Sequence, residues 1–349
     1  MAYQETRTSV LDDFSLGSLR SAGRGYALAI GAVLVVGLAF AATSVGRGAF
    51  TGAGDSMAQA RPGWLVVAGI GFAAALLCSA AAWHSGLHAC GAKVGFTQVS
   101  ARYAVGSLVN AFAPAHLGAV VRLGLLSQTL PGEDRLWRAG GVGGAVAAAR
   151  ALALAALVLV AGAWGKIPLW PAPLLAVGVL VAIAVCARIS RRVAGRLASL
   201  LQVFRALAAS PRAAARLSAW IAVSFSARIG AAVALVAAFA VPSPVWVAFV
   251  LVTAIALAGV APVTPGNFGA GAGAATLALH GTGVGLGTSL AIGVAFQAVE
   301  TFAGVTLGLA GAATLASPGS RVRRLSLAAA GASAVLVAGV LGVVSVDLV

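Results

Sequence analysis

Long apolar runs dominate this chain and most strongly constrain its fold. Each is about 20 residues long, the length that a helix needs to cross the hydrocarbon core of a bilayer. Charged residues make up only 9% of the sequence, against about 25% in soluble domains. The sequence therefore predicts an all-α polytopic membrane protein with about seven full spans. The runs cover residues 26–46, 63–83, 141–163, 173–190, 217–240, 287–312 and 327–346.

Two further apolar segments cannot be simple spanning helices, because residues that stop a helix divide each of them. In residues 102–126, Pro114 separates two halves of about a dozen residues, each too short to cross a bilayer. Residues 245–282 are interrupted at GVAPVTPGNFGAGAGA. Non-helical backbone is tolerated at membrane depth only where it is buried in protein or lines a cavity. We predict a broken, re-entrant helical hairpin at each segment.

The distribution of positive charge orients these hairpins. The sequence has 23 Lys and Arg residues against 8 Asp and Glu. The positive-inside rule places most of the basic loops in the cytoplasm only if 102–126 enters and leaves from the cytoplasm and 245–282 from the outside. This predicts a cytoplasmic N-terminal segment, 1–25, and one multi-pass domain, 26–349, in the cell membrane. Hairpins of opposite orientation in the two halves are also compatible with an inverted repeat, as in secondary transporters.

Four charged residues fall inside the predicted membrane region, namely Arg122, Arg150, Arg228 and Glu300. A charge at the centre of an inserting helix costs about 2.5–3.5 kcal/mol, so such residues usually pair or line a pathway. Glu300 can neutralise one arginine, for which Arg228 and Arg150 are both candidates. It cannot neutralise three. At least one arginine is left for an anion, and a lipid phosphate matches the planar fork of guanidinium donors.

Other polar features have simpler interpretations. His84 and His88 are four residues apart, but no third metal ligand is near, so we interpret them as interfacial histidines and predict no metal site. His116, inside the first hairpin, is a candidate for a polar or proton-handling role. The Arg-rich segment 188–216 predicts an amphipathic helix at the cytoplasmic leaflet, so the net charge of +15 indicates anionic lipid headgroups rather than nucleic acid. With one intramembrane acid and no cofactor motif, we expect neither an enzyme nor a cofactor.

Two motifs resemble those of a known family. NAFAPAHLGAVVR is similar to N-x3-P-x3-G-[DE]-x2-R, and PVTPGNFGAGA is similar to P-x2-P-G-G-x-G-x2-E. Both resemble the lysylphosphatidylglycerol synthase transmembrane-domain family, also called flippase-like, which includes the flippase domain of the multiple peptide resistance factor. The resemblance implies a membrane protein that moves lipids or lipid-linked sugars between leaflets. It also implies that both motifs lie along the substrate path.

The chain departs from the family pattern at three acidic positions, which are occupied by Ala119, Ala149 and Ala272. A path that has lost acids while its arginines remain favours an anionic lipid or a lipid-linked phosphate over a cationic headgroup. The alternative is a non-transporting membrane protein that stabilises an envelope-lipid enzyme. The predicted substrate-binding residues are Asn110, Pro114, His116, Gly118, Arg122, Arg150, Arg228, Pro262, Pro265, Gly266, Asn267, Gly269 and Glu300.

Overall fold

The computed structural model describes residues 46–112, 117–163, 171–189, 196–259, 268–318 and 320–332. The chain divides into two compact units, Met1–Arg47 and Gly48–Val349, and all the described residues except the first two belong to the second unit. These residues form helices and short connections with no strand among them, which confirms the all-α prediction. The predicted N-terminal segment, the first predicted span and most of the last one lie outside the described residues.

The helices follow the predicted apolar runs, with longer ends. Four of them, α2, α5, α8 and α11, are long and apolar enough to cross a membrane. They correspond to four of the predicted spans, while the total of about seven stays a prediction. In chain order the helices are α1 (Gly46–Ala58), α2 (Pro62–Ala89), α3 (Phe96–Phe112), α4 (Leu117–Ser127), α5 (Arg135–Ala163), α6 (Pro171–Ile189), α7 (Arg196–Ala209), α8 (Pro211–Ala238), α9 (Pro244–Ala258), α10 (Phe268–His280), α11 (Leu286–Leu315) and α12 (321–332).

The order of helix lengths repeats along the chain. The long helix α2 is followed by the short helices α3 and α4 and then by the long helix α5, with lengths of 28, 17, 11 and 29 residues. The series α8, α9, α10 and α11 has lengths of 28, 15, 13 and 30 residues. Each half of the described structure thus contains two long helices separated by two short ones.

The first helices of the two halves, α2 and α8, pack along each other in opposite directions. The backbone N–H of Arg61, just before α2, donates to the carbonyl of Ala238 at the end of α8, at 2.9 Å. Near the middle of α8, the hydroxyl oxygens of Ser79 and Ser224 are 2.9 Å apart. Equivalent helices that run antiparallel are what an inverted repeat requires. The described residues therefore support the inverted repeat suggested by the charge pattern.

The first predicted hairpin is formed by α3 and α4, which lie against each other in antiparallel directions. A Cβ atom built on Gly106 would lie 2.5 Å from Cβ of Arg122, and one built on Gly118 would meet Asn110. At 1.5 Å per residue the two helices are about 26 and 17 Å long, short of a bilayer core of about 30 Å. The structure shows two short antiparallel helices where the hairpin was predicted, while the break at 113–116 lies outside the described residues. Helix α3 begins at Phe96, six residues before the predicted start.

The second predicted hairpin corresponds to α9 and α10, which also pack against each other. Their lengths, 15 and 13 residues, are likewise too short for a full crossing. The break itself, residues 260–267, lies outside the described residues. One arm of this hairpin is well embedded, because Leu251, Val252 and Ile255 of α9 are buried in a core that α2, α8 and α11 also form.

The Arg-rich segment differs from its prediction in what it packs against. Part of it forms α7, whose apolar residues Leu201, Val203 and Leu207 are buried. They lie against α5, where a Cβ built on Gly141 would be 2.9 Å from Cβ of Val203. The absence of a side chain at Gly141 lets α7 approach closely. The apolar side of α7 therefore contacts protein, where the sequence predicted contact with the lipid leaflet.

The close contact of α4 with α3 leads to a stability prediction. In the variant Gly118→Ala the new methyl group would lie 2.5 Å from the carbonyl oxygen of Gly106, so the hairpin must open. We expect a loss of about 1–3 kcal/mol in unfolding free energy, the usual cost of overpacking. The measurement is thermal unfolding of the purified protein in detergent. Gly124→Ala, on the same helix, is the matched control: nothing lies within 4 Å, and it should be neutral or stabilising. Equal unfolding temperatures for the two variants would contradict the close approach.

The charge pattern and the antiparallel contact of α2 with α8 together predict which connections are external. In a cysteine-free background, Gln59→Cys before α2 and His280→Cys at the end of α10 should react with an impermeant thiol reagent in intact cells. Glu133→Cys, between α4 and α5, should react only after the cells are opened. All three side chains are exposed. Labelling of Glu133→Cys in intact cells would overturn this topology.

Candidate functional site

Arg122 projects from α4 onto Tyr103 of α3. Its guanidinium carbon lies 4.1 Å from the centre of the tyrosine ring, a cation–π distance. Nη2 of Arg122 donates to the hydroxyl of Ser107 at 3.1 Å. The Nε atom of Arg122 is buried and has no hydrogen-bond partner among the described residues. A buried donor without an acceptor costs about 1–3 kcal/mol, so this guanidinium still has bonding capacity to offer.

Arg150 reaches the same tyrosine from α5. Its Nη2 atom donates to the hydroxyl of Tyr103 at 2.9 Å and to the hydroxyl of Ser79 on α2, also at 2.9 Å. Tyr103 is 4% exposed. One buried ring therefore holds two guanidinium groups, Arg122 on its face and Arg150 at its hydroxyl.

Hydroxyl groups extend this cluster into the second half of the chain. The Ser79 hydroxyl that accepts from Arg150 lies 2.9 Å from that of Ser224 on α8. Ser224 in turn donates to the carbonyl of Ala75 on α2, at 2.7 Å. Since every one of these groups has a partner, Arg150 is held in place by both halves of the structure. We call Arg122, Arg150, Tyr103, Ser79 and Ser107 the arginine cluster.

The arginine cluster carries positive charge without a neighbouring acid. Within the described ranges, no carboxylate forms an ion pair with Arg122 or Arg150. Two guanidinium groups that contact the same tyrosine repel each other, and the repulsion is stronger where water is scarce. The hydroxyl and ring contacts orient the two guanidinium groups, and no described carboxylate pairs with either of them. The cluster is therefore a candidate site for an anion.

Glu300 has Arg228 as its partner, which decides between the two arginines that the sequence left open. Nη2 of Arg228 on α8 lies 2.7 Å from a carboxylate oxygen of Glu300 on α11, and both side chains are about one-third exposed. The guanidinium of Arg228 also lies 5.5 Å from the centre of the Phe296 ring. This arginine is consequently neutralised within the protein.

The two polar contacts occupy corresponding places in the two halves. Ser79 and Arg228 each lie 17 residues after the first residue of α2 and α8, respectively. Arg150 and Glu300 lie 15 and 14 residues after the first residues of α5 and α11. Each half thus joins its two long helices by one polar contact at a similar depth. In the first half the contact is between an arginine and a serine, and in the second it is an ion pair.

Some of the remaining predicted substrate-binding residues lie in the described part of the chain, and others lie outside it. Asn110 and Gly118 meet where α3 and α4 are closest, so they shape the hairpin that carries Arg122. Gly269 is exposed in the first turn of α10. The predicted residues that lie outside the described part of the chain are Pro114, His116, Pro262, Pro265, Gly266 and Asn267.

The sequence did not predict Tyr103, Ser79, Ser107 and Ser224 as site residues, because the prediction rested on charged residues and helix breaks. One signal was present: Tyr103 and Ser107 are four residues apart and therefore share a face of α3. Ser79 lies in an apolar run with no charge nearby in the sequence, and Ser224 lies four residues before Arg228. Only the packing of α2 against α8 brings them together.

The comparison with known proteins covers the whole sequence. Residues 26–308 match the family described as lysylphosphatidylglycerol synthase TM region. The match includes both hairpins, the arginine cluster and the pair of Arg228 with Glu300. A search of curated proteins finds no match. Because the family match covers most of its length, the chain belongs to the lysylphosphatidylglycerol synthase transmembrane-region family and is a multi-pass membrane protein.

Proposed function

We propose that this protein carries an anionic lipid or a lipid-linked phosphate across the membrane, and that Arg122 and Arg150 bind the phosphate. The observation that carries the proposal is the arginine cluster. Two guanidinium groups converge on Tyr103, and no acid among the described residues neutralises either of them. A lipid phosphate supplies both the negative charge and the acceptor oxygens that this arrangement can use.

The geometry of Arg122 favours a phosphate in particular. The guanidinium is planar and presents its donors as a fork, which matches two oxygens of a phosphate or carboxylate. The Tyr103 ring covers one face of this plane, and Ser107 accepts from one Nη atom. The buried Nε–H is still available to an acceptor. In a membrane, the abundant anion at headgroup depth is the lipid phosphate.

The hairpin that carries Arg122 supports movement between leaflets. The helices α3 and α4 are each too short to cross the bilayer, so in our proposal the hairpin that they form enters and leaves on the same side. Antiparallel halves of similar length are the architecture in which carriers alternate between access from one side and from the other. In our proposal the arginine cluster is the binding site from which such alternation moves the lipid.

The three family positions without an acid argue against a cationic headgroup. Ala119 stands three residues before Arg122, Ala149 precedes Arg150, and Ala272 is buried, with its carbonyl oxygen 2.8 Å from a Cβ built on Gly293. A headgroup such as lysylphosphatidylglycerol carries added positive charge, which the two arginines would repel. The same three substitutions favour a second candidate function, a non-transporting protein that stabilises an envelope-lipid enzyme.

Transport of a fluorescent anionic phospholipid between the leaflets of proteoliposomes tests the proposal. Arg122→Gln removes the charge and the fork, so translocation at limiting lipid should fall about tenfold or more, as loss of a charge-assisted hydrogen bond predicts. Arg122→Lys keeps the charge, and its rate of translocation should lie between that of Arg122→Gln and that of the unmodified protein. Arg150→Gln should resemble Arg122→Gln.

The matched control is Arg102→Gln, on the same helix as Tyr103. Arg102 is bonded to Gln98 on its own helix, so its loss should leave transport unchanged. A stably folded Arg122→Gln protein that transports at the normal rate would exclude the phosphate site. Absence of transport by the unmodified protein, together with co-purification of a lipid-modifying enzyme, would favour the second candidate function.

The pair of Arg228 with Glu300 is expected to stabilise the fold rather than bind lipid. Arg228→Gln or Glu300→Gln alone leaves one charge unpaired and should cost about 1–3 kcal/mol, allowing for the partial exposure of both side chains. The double variant should be less destabilised than the two single losses added together. Thermal unfolding of the four proteins measures this coupling. Strictly additive losses would show that the contact contributes nothing to stability.

A further inference from the structure

A cavity of about 320 Å³ lies between the last turns of α2 and the first turns of α8. His84, Ser85, His88 and Ala89 line it from α2, and Ala213 and Arg216 line it from α8. The arginine cluster contributes no residue to this cavity. By the charge pattern, this end of α2 faces the cytoplasm, at the depth of the lipid headgroups.

His84 has a defined orientation in the cavity wall. Its Nε2 atom lies 3.1 Å from the carbonyl oxygen of Val94, which can only accept, so Nε2 carries a proton. The His84 ring lies edge-to-face with His88, at 4.5 Å between centres, and with Phe96 of α3, at 5.9 Å. In the neutral ring the other nitrogen, Nδ1, is an acceptor. It becomes a donor to an anion only when the ring takes up a second proton.

Arg216 adds a permanent positive charge to the opposite wall. Its side chain is exposed, and within the described ranges it has neither a hydrogen-bond partner nor an ion pair. The charged and titratable groups that line the cavity are His84 and His88 from α2 and Arg216 from α8. None of the lining residues is acidic. Every ionisable group of the cavity is therefore cationic or becomes cationic on protonation.

We propose that this cavity binds a phosphate group at the cytoplasmic edge of the protein, independently of the transport path. The fork of Arg216 and the N–H donors of the two histidines supply charge-assisted bonds, and the cavity is large enough for a phosphate with part of the molecule that carries it. The phosphate can come from an anionic lipid headgroup in the adjacent leaflet or from free phosphate in the cytoplasm.

Binding to this site takes up protons. A phosphate that accepts from Nδ1 of His84 stabilises the doubly protonated ring, so this contact strengthens binding as the pH falls and the ring gains its second proton. Arg216 stays charged throughout this range and sets the affinity that remains at higher pH.

The test compares full-length protein with Arg216→Gln and with Arg212→Gln, a matched control one turn earlier on α8 that does not line the cavity. In detergent, inorganic phosphate is titrated at constant ionic strength at pH 6 and pH 8, and the unfolding temperature reports binding. In nanodiscs with and without phosphatidic acid, native mass spectrometry reports lipid retention. Arg216→Gln should weaken binding about tenfold and Arg212→Gln should not.

The two arms identify the source of the phosphate. Stabilisation by inorganic phosphate that Arg216→Gln weakens identifies free phosphate as the source. A loss of phosphatidic acid retention alone identifies the lipid headgroup. Inorganic phosphate itself gains a proton between pH 8 and pH 6, so the expected result is that His84→Gln weakens binding more at pH 6 than at pH 8. No binding in either arm, or equal weakening by Arg212→Gln, overturns the proposal. Arg122→Gln should leave phosphate binding in the cavity intact. A failure of the cavity proposal can therefore be distinguished from a failure of the transport proposal.

Discussion

Close packing of small residues between α2 and α8 is the contact on which the other described contacts depend. A Cβ atom built on Gly71 would lie 2.8 Å from Cβ of Ala231, so the two backbones are as near as helices allow. In a bilayer, where lipid tails are as apolar as leucine, van der Waals packing of this kind drives the association of helices. The same contact aligns Ser79 with Ser224 and fixes the antiparallel relation of the two halves.

Tyr103 has a comparable importance for the arginine cluster. A phenol ring offers an electron-rich face and a hydroxyl oxygen, and here each contacts a different guanidinium. Without it, Arg122 would keep only the hydroxyl of Ser107 and Arg150 only that of Ser79, and a hydroxyl is a weaker partner than a carboxylate. The ring thus allows two like charges to be close inside the membrane region without a local acid.

Much of the fold could be predicted because hydrophobic length and helix-breaking residues are local properties of a sequence. The spans that became α2, α5, α8 and α11 and the hairpin of α3 with α4 follow from them. The partner of Glu300 could not be predicted, because the choice between Arg228 and Arg150 depends on which helices pack together. For the same reason the sequence placed the apolar side of α7 against lipid, whereas it packs on α5. The serines of the site carry no charge, so nothing local distinguishes them from serines in any apolar helix.

The corresponding polar contacts of the two halves differ in net charge, although the helices that carry them match in length. Arg150 with Ser79 is cationic, whereas Arg228 with Glu300 is neutral. Two halves with similar helix lengths therefore differ in the charge that they carry at corresponding depths. An anion close to the first half is attracted, and one close to the second half is not. If the two halves exchange conformations, as our transport proposal requires, a bound anion would favour one of the two conformations over the other.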